Sequence, residues 1–401
     1  MALLDMCIRA LQDSRHVARE KALTVLAGAL ERELPPLDDL VTDTRCFSIF
    51  ALCGICVKEG VCVTEGPPKE QRLAFRAVGL LALSLGGSSS EILAHTFQPL
   101  AKTISREQDD AAAVTVVAAA IDCLAAVTFA GARGRDEVER SLKVIWDLIS
   151  APAGIGGMDA RKTSPQVLIT AVSTWAFLLT TISETDGFCR KKPDNTFSNA
   201  TVASLARLLD HDDRPVRMAA GEALAMCVEL NLTQHATRKD MDALAAKVSE
   251  LASELPSRGS NNTLLPEQRD LFGQIAAFLD HGERPEKLLP TSMEGCVALR
   301  VSSWAKLVQL NFLTRFLGNG FVKHVQCNEL FKEAFSYGAD EGKVLSISKK
   351  KQGKNTNTHA EKDSKVRRRR WDWTILCNTI LSYTTRQRPE KLLQIGWQAL
   401  H

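Results

Sequence analysis

Apolar residues recur three and four positions apart through the first 280 residues, which is the spacing of helices that bury one face. Segments rich in Gly, Pro, Ser and Asp separate these runs and are typical of turns. No alternation typical of strands competes with this pattern. The sequence therefore predicts helices at Thr44–Val57, Pro68–Leu85, Ser89–Ile104, Ala111–Thr128, Asp136–Ile149, Pro165–Ile182, Thr201–Leu209, Val216–Leu230, Lys239–Glu254 and Glu267–Leu279.

Two distant segments share one helix-turn-helix scheme. Residues 205–224 contain an apolar helix, an acidic turn, Pro215 and then Arg217, and Pro is favoured in the first turn of a helix. Residues 7–23 repeat the scheme, with Arg19 in the place of Arg217. Such repetition is typical of HEAT and armadillo arrays, whose concave face usually binds other macromolecules. We therefore predict an all-α, ARM/HEAT-like α-solenoid of roughly five to seven helix pairs.

The stretch from Trp304 to Phe335 contains an Asn between two glycines, flanked on both sides by apolar helical spacing. This composition predicts a turn that joins two helices and caps the array. The order of residues closely resembles the carboxy-terminal signature of the interferon-related developmental regulator family, and most nearly that of its plant-type members. The residues that carry the resemblance are Gly318, Gly320, His324, Asn328, Glu329 and Leu330.

The resemblance extends over roughly residues 1–340, with weaker matches in the repeats. It implies a non-enzymatic regulator. The family is associated with transcriptional co-regulation through repressor complexes, and with binding idle ribosomes where tRNA would sit. One departure concerns the end of the chain: family members continue into a basic helical tail, whereas here an apolar, Trp-containing sequence follows residue 370.

These observations divide the chain into five predicted parts. Residues 1–280 form the helical-repeat domain, residues 281–300 a linker and residues 301–337 the signature. Residues 338–370 form a basic segment that has too few apolar groups to fold alone, and residues 371–401 are the atypical end.

Charge is distributed unevenly along the chain. Residues 343–370 contain eleven Lys or Arg and two acidic residues, a net charge of +9. Residues 371–401 add +1, so the total of +3 leaves −7 on residues 1–342. Such a segment binds RNA, a ribosome surface or DNA by releasing counterions, although basic runs also serve as nuclear import signals or remain solvated. The predicted partner-binding residues here are Lys349, Lys350, Lys351, Lys354, Arg367, Arg368, Arg369, Arg370 and Trp371.

Two further residues are candidates for partner binding. His324 precedes Asn328 by four positions, so on a helix the two side chains share a face. They either bind a partner or brace the turn, in which Gly318 and Gly320 are the predicted structural residues.

Cofactor and metal chemistry has little support in the sequence. Eleven scattered cysteines indicate a reducing compartment, and the amino terminus lacks the uninterrupted apolar run of a signal peptide. Cys53 and Cys56 have the spacing of a zinc or redox pair, but they lie in an apolar helical run and no second pair follows. No catalytic motif is present, so we predict no enzyme activity, no cofactor, no small-molecule substrate and no membrane partner.

Three functional hypotheses remain. The first is a translation regulator that occupies ribosomes in the cytoplasm. The second is a nuclear transcriptional co-regulator that acts as a protein scaffold. The third is a zinc or redox protein that uses Cys53 and Cys56.

Overall fold

The computed structural model describes residues 2–32, 66–108, 110–150, 163–185, 195–233, 236–256, 263–290 and 298–335. All of these lie in the first of the two compact units of the chain, Met1–Asp340. The helices are α1 (Ala2–Leu11), α2 (His16–Arg32), α3 (Pro68–Leu85), α4 (Ser90–Ile104), α5 (Ala111–Gly131), α6 (Arg135–Ile149), α7 (Pro165–Thr185), α8 (Asn195–Leu208), α9 (Arg214–Glu229), α10 (Arg238–Ala252), α11 (Leu265–His281), α12 (Trp304–Leu317), α13 (Phe321–Cys327) and α14 (Glu329–Phe335).

The predicted helices of the array are confirmed wherever the structure describes them. Helix α3 begins and ends at the predicted residues, whereas α8 begins at Asn195 rather than at Thr201. The predicted helix at residues 44–57 lies outside the described residues. Two short 3₁₀ segments, Gly86–Ser89 and Gly318–Gly320, complete the helical elements of this part of the chain.

The helices pack in consecutive pairs as an α-solenoid. Within the described ranges, α1 packs on α2, α4 on α5, α6 on α7, α8 on α9 and α10 on α11. The second helices of four of these pairs, α2, α5, α7 and α9, form a continuous layer together with α3, which contacts both α2 and α5. We call these five helices the inner stack. Each pair buries its apolar face against the next pair, as helical-repeat arrays do.

The two segments with a shared sequence scheme have the same geometry. Arg19 donates from Nη1 to the carbonyl oxygens five and six residues earlier, both at 2.9 Å, and Arg217 does the same at 3.1 and 2.8 Å. Each guanidinium also pairs with a carboxylate of a neighbouring pair, Glu70 at 2.7 Å and Glu254 at 3.3 Å. The arginine therefore closes its own turn and ties two repeats together.

The described structure contains one pair of strands that the sequence did not predict. Strand β1 (Lys287–Pro290) pairs antiparallel with β2 (Ala298–Val301) inside the predicted linker. Each strand has four residues, which is too short for a period of two to stand out. Leu299 and Val301 are two residues apart and both buried, so one face of β2 belongs to the core.

Helices α5 and α7 are long and apolar enough to cross a membrane by length and composition. However, 61% of the most apolar window of each is buried inside the protein, and core helices of soluble proteins pass the same test. The interpretation of residues 111–130 as a buried repeat helix agrees with this packing.

Candidate functional site: the carboxy-terminal helices on the inner stack

Residues 304–335, which we call the strap, lie along the inner stack rather than at the end of the array. At its start, the Ala305 N–H donates to Glu229 on α9 at 2.8 Å. Near the end of α12, both terminal nitrogens of Arg315 donate to Asp122 on α5, each at 2.7 Å. Helix α12 therefore runs from α9 towards the amino-terminal repeats, opposite to the order of the chain.

Further polar contacts fix the position of α12 between these two ends. Gln309 donates from Nε2 to the Thr180 hydroxyl on α7 at 2.9 Å, and Asn311 donates from Nδ2 to Glu222 on α9 at 3.2 Å. Burial raises the pKa of the Glu222 carboxyl, which the Asn311 bond partly offsets. Because Gln309 is fully buried, its hydrogen bond satisfies a group that would otherwise be costly to enclose.

Aromatic side chains of α12 pack directly on the inner stack. The ring of Phe312 stacks on Phe177 of α7, with centroids 4.0 Å apart and planes at 14°. Phe316 lies against Gly79 of α3 so closely that a Cβ there would be 2.6 Å from its Cζ. Trp304 is fully buried. These contacts place the buried aromatic residues of α12 against α3 and α7 of the inner stack.

The turn after α12 needs both glycines, but for different reasons. Gly318 has φ +54° and ψ −129°, a backbone conformation essentially restricted to glycine. Gly320 has an ordinary φ of −80°, yet a Cβ there would lie 1.7 Å from the carbonyl oxygen of Glu31 on α2. The predicted turn between two helices is confirmed, and Gly320 is required for close approach rather than for φ.

His324 and Asn328, predicted as candidates for partner binding, are buried inside the protein. Nε2 of His324 lies 3.2 Å from the Leu30 carbonyl on α2, and Asn328 donates from Nδ2 to the Leu83 carbonyl on α3 at 2.8 Å. They do not share a helical face, because Asn328 has extended backbone between α13 and α14. The contacts support the alternative that these residues brace the strap, and neither side chain is presented to a partner.

The remaining predicted site residues lie outside the described residues. They are Cys53, Cys56, Lys349, Lys350, Lys351, Lys354, Arg367, Arg368, Arg369, Arg370 and Trp371. In the part of the chain that the structure describes, no group of three or more His, Cys, Asp or Glu is placed to hold a metal ion. Cys123 and Cys227 are buried, and burial raises the pKa of the Cys227 thiol to about 12, so this thiol is not a nucleophile at neutral pH.

Sequence reasoning missed the residues of the inner stack that receive the strap. Glu229, Thr180 and Gly79 carry no local signal, since each looks like an ordinary residue of an amphipathic helix. Asp122 was the one available signal, as a lone charge in the apolar run of α5. Its partner, Arg315, is 193 residues away in sequence.

Fold and strap together define a helical-repeat protein whose inner helices are covered by its own carboxy-terminal segment. The sequence model of the Interferon-related developmental regulator (IFRD) family matches residues 1–280, and the chain belongs to this family. The family predicted from the resemblance is thereby confirmed, on residues that end before the signature at 318–330.

Individual relatives agree with this assignment. Interferon-related developmental regulator 2 of Mus musculus is 27% identical over 283 residues, which cover 69% of this chain and 61% of the relative. Interferon-related developmental regulator 1 is 25% identical in Mus musculus and 24% in Homo sapiens, over 69% of this chain and 60% of each relative. The matched region thus spans about three fifths of the length of these relatives.

Two solved structures are similar to the chain. An engineered protein aligns with a TM-score of 0.40 and 13% identity, over 70% of this chain and 98% of its own. A designed armadillo repeat protein aligns with a TM-score of 0.38 and 14% identity, over 68% of this chain and 99% of its own.

Proposed function

We propose that this protein is a non-enzymatic regulator that binds ribosomes through residues 343–370 of its basic segment and thereby lowers translation. The observation that carries the proposal is the charge of that segment, +9, beside a body of −7. Long-range attraction to a polyanion such as ribosomal RNA therefore originates mainly in residues 343–370.

The position of the strap also favours the basic segment over the inner stack as the binding surface. The inner stack is covered by α12, and His324 and Asn328 point into the protein. Contacts to a partner must accordingly come from other surfaces or from the basic segment. Trp371 adjoins that segment, and an indole that stacks on an unpaired base contributes roughly 1–3 kcal/mol.

The test is ribosome co-sedimentation of the full chain over a range of salt concentrations. Replacing Arg367, Arg368, Arg369 and Arg370 by Gln removes four positive charges, and we expect weaker binding with a shallower dependence on salt. For six to ten phosphate contacts, the affinity falls roughly 10³- to 10⁵-fold between 50 and 200 mM salt.

A matched control removes the same charge from the body. Lys102, Arg106, Lys143 and Lys239 are exposed, and their replacement by Gln should leave co-sedimentation close to that of the unmodified chain. If both variants lose binding equally, net charge alone is responsible. If neither loses it, residues 367–370 are not the contact, and the proposal fails.

A second candidate is a nuclear co-regulator that scaffolds repressor subunits, because the same basic run fits a nuclear import signal. A pulldown from cell lysate, with and without RNase, separates the two. Ribosomal proteins recovered only without RNase favour the first proposal and a cytoplasmic location. Repressor subunits recovered in both conditions, with nuclear localisation, favour the second.

A further inference from the structure

The strap is held to the amino-terminal repeats by a buried histidine. The side chain of His324 is fully buried, and its Nε2 lies 3.2 Å from the Leu30 carbonyl at the end of α2. A carbonyl oxygen only accepts, so Nε2 carries the proton and donates. Nδ1 is buried and has no hydrogen-bond partner among the described residues.

This geometry fits the neutral imidazole and not the imidazolium. Protonation would add a second N–H at Nδ1, where no described acceptor lies within hydrogen-bond distance, and would place a full charge in an enclosed site. The ring of Phe331 on α14, with its centroid 5.4 Å away, supplies one apolar wall.

One nearby charge opposes this preference. The Glu31 carboxylate of α2 favours a positive imidazole, but Arg76 of α3 already pairs with it at 2.7 Å. On α13 and α14 themselves, Lys323, Cys327 and Glu329 are exposed to solvent, and Glu329 pairs with Lys332. Burial is the larger effect, and it lowers the pKa of His324 below its usual 6.5. The carbonyls of Leu30 and Glu31 and the Glu31 carboxylate raise the pKa and so partly offset this shift.

We propose that His324 is an acid-sensitive latch: protonation releases α13 and α14 from α2 and α3 while the helical array stays folded. This goes beyond the proposed binding function and does not depend on it. The two helices are suited to local opening, because each has only seven residues and both are held mainly by tertiary contacts.

The size of the effect follows from proton linkage. The imidazole is neutral in the latched state and titrates near 6.5 once released, so acidification favours release. Between pH 7.5 and pH 5.5, a group that protonated only in the released state would increase the opening equilibrium about tenfold, and this factor is the upper limit for His324.

Hydrogen exchange of the full chain at pH 7.5 and 5.5, corrected for the intrinsic pH dependence of exchange, measures this opening. We expect protection of residues 321–335 to fall by up to about tenfold at pH 5.5, with little change in α5. His324→Gln retains an amide that can donate to Leu30 but does not titrate, so its protection should not depend on pH. The matched control, His281→Gln at an exposed histidine, should behave like the unmodified chain.

Three results would overturn the latch. They are unchanged protection of residues 321–335 at pH 5.5, an equal loss of protection in α5, and the same pH dependence in His324→Gln. Should that variant not fold, the ring of His324 is titrated by NMR in the unmodified chain. A midpoint below 6.5 supports the latch, and a midpoint at or above 6.5 refutes it.

Discussion

Replacing Gly320 by Ala tests whether the turn of the strap is fixed by its close approach to α2. The added Cβ would lie 1.7 Å from the Glu31 carbonyl oxygen and 2.6 Å from its carbon, far inside any tolerated contact. Both atoms belong to the backbone, so no side-chain rotation relieves the collision, and either α2 or the turn must move. Overpacking of this kind costs about 1–3 kcal/mol.

The sign of the change in stability distinguishes the collision with Glu31 from the general effect of replacing Gly by Ala. Gly320 has a φ of −80°, which Ala adopts readily, so without the collision the substitution would stabilise the protein by about 0.4–1 kcal/mol. Gly273 is the matched control. It lies inside α11 with nothing within 4 Å of its virtual Cβ, and Gly273→Ala should therefore raise stability.

Thermal unfolding followed by circular dichroism, together with hydrogen exchange of residues 321–335, gives the comparison. We expect Gly320→Ala to lower the midpoint and the protection of α13 and α14, and Gly273→Ala to raise the midpoint slightly. A Gly320→Ala protein as stable as the unmodified chain would show that the turn does not press against α2.

Three other changes test separate contacts. A double-mutant cycle with Asp122→Asn and Arg315→Gln should give a coupling free energy of about 0.5–1 kcal/mol in urea unfolding. The value is small because the arginine side chain is 46% exposed, and a coupling near zero would mean that the pair does not hold α12. Glu70→Gln leaves the buried Arg19 charge without its carboxylate and should cost about 3–5 kcal/mol in the same assay, which a neutral result would contradict. Ending the chain at residue 281 uncovers the inner stack and should produce aggregation or strong binding of an apolar dye, whereas a chain that ends at residue 337 should remain folded and bind little dye.

The sequence was sufficient to predict the helices because their signal is local. A helix such as α3 is defined by an apolar face, a Pro at its start and a Gly just beyond its end, all within one short segment. The Arg19 and Arg217 schemes were likewise recognisable, since each arginine contacts carbonyls only five and six residues away. The two short strands were missed, because four residues give too little pattern to detect.

The position of the strap could not be predicted from the same information. Apolar and polar residues are both spread around α12, so its sequence does not define one apolar face. One of its partners, Asp122, lies 193 residues away in the chain. For the same reason, the role of His324 could not be decided from the sequence. From spacing alone it could bind a partner or brace the fold, and only the Leu30 carbonyl, 294 residues earlier, supports the second role.

The strap also changes where the chain should be cut in functional work. The family model ends at residue 280, yet the inner stack continues to bury residues from the strap, among them Phe312, Phe316 and Trp304. The helical domain by itself would expose the surface that these side chains cover, and its binding to RNA or to other proteins would report exposed apolar helices. A boundary between residues 337 and 342 keeps the strap and removes the basic segment. Loss of ribosome binding at that boundary is then attributable to the residues beyond it, and the four-arginine variant tests the basic segment separately from residues 371–401.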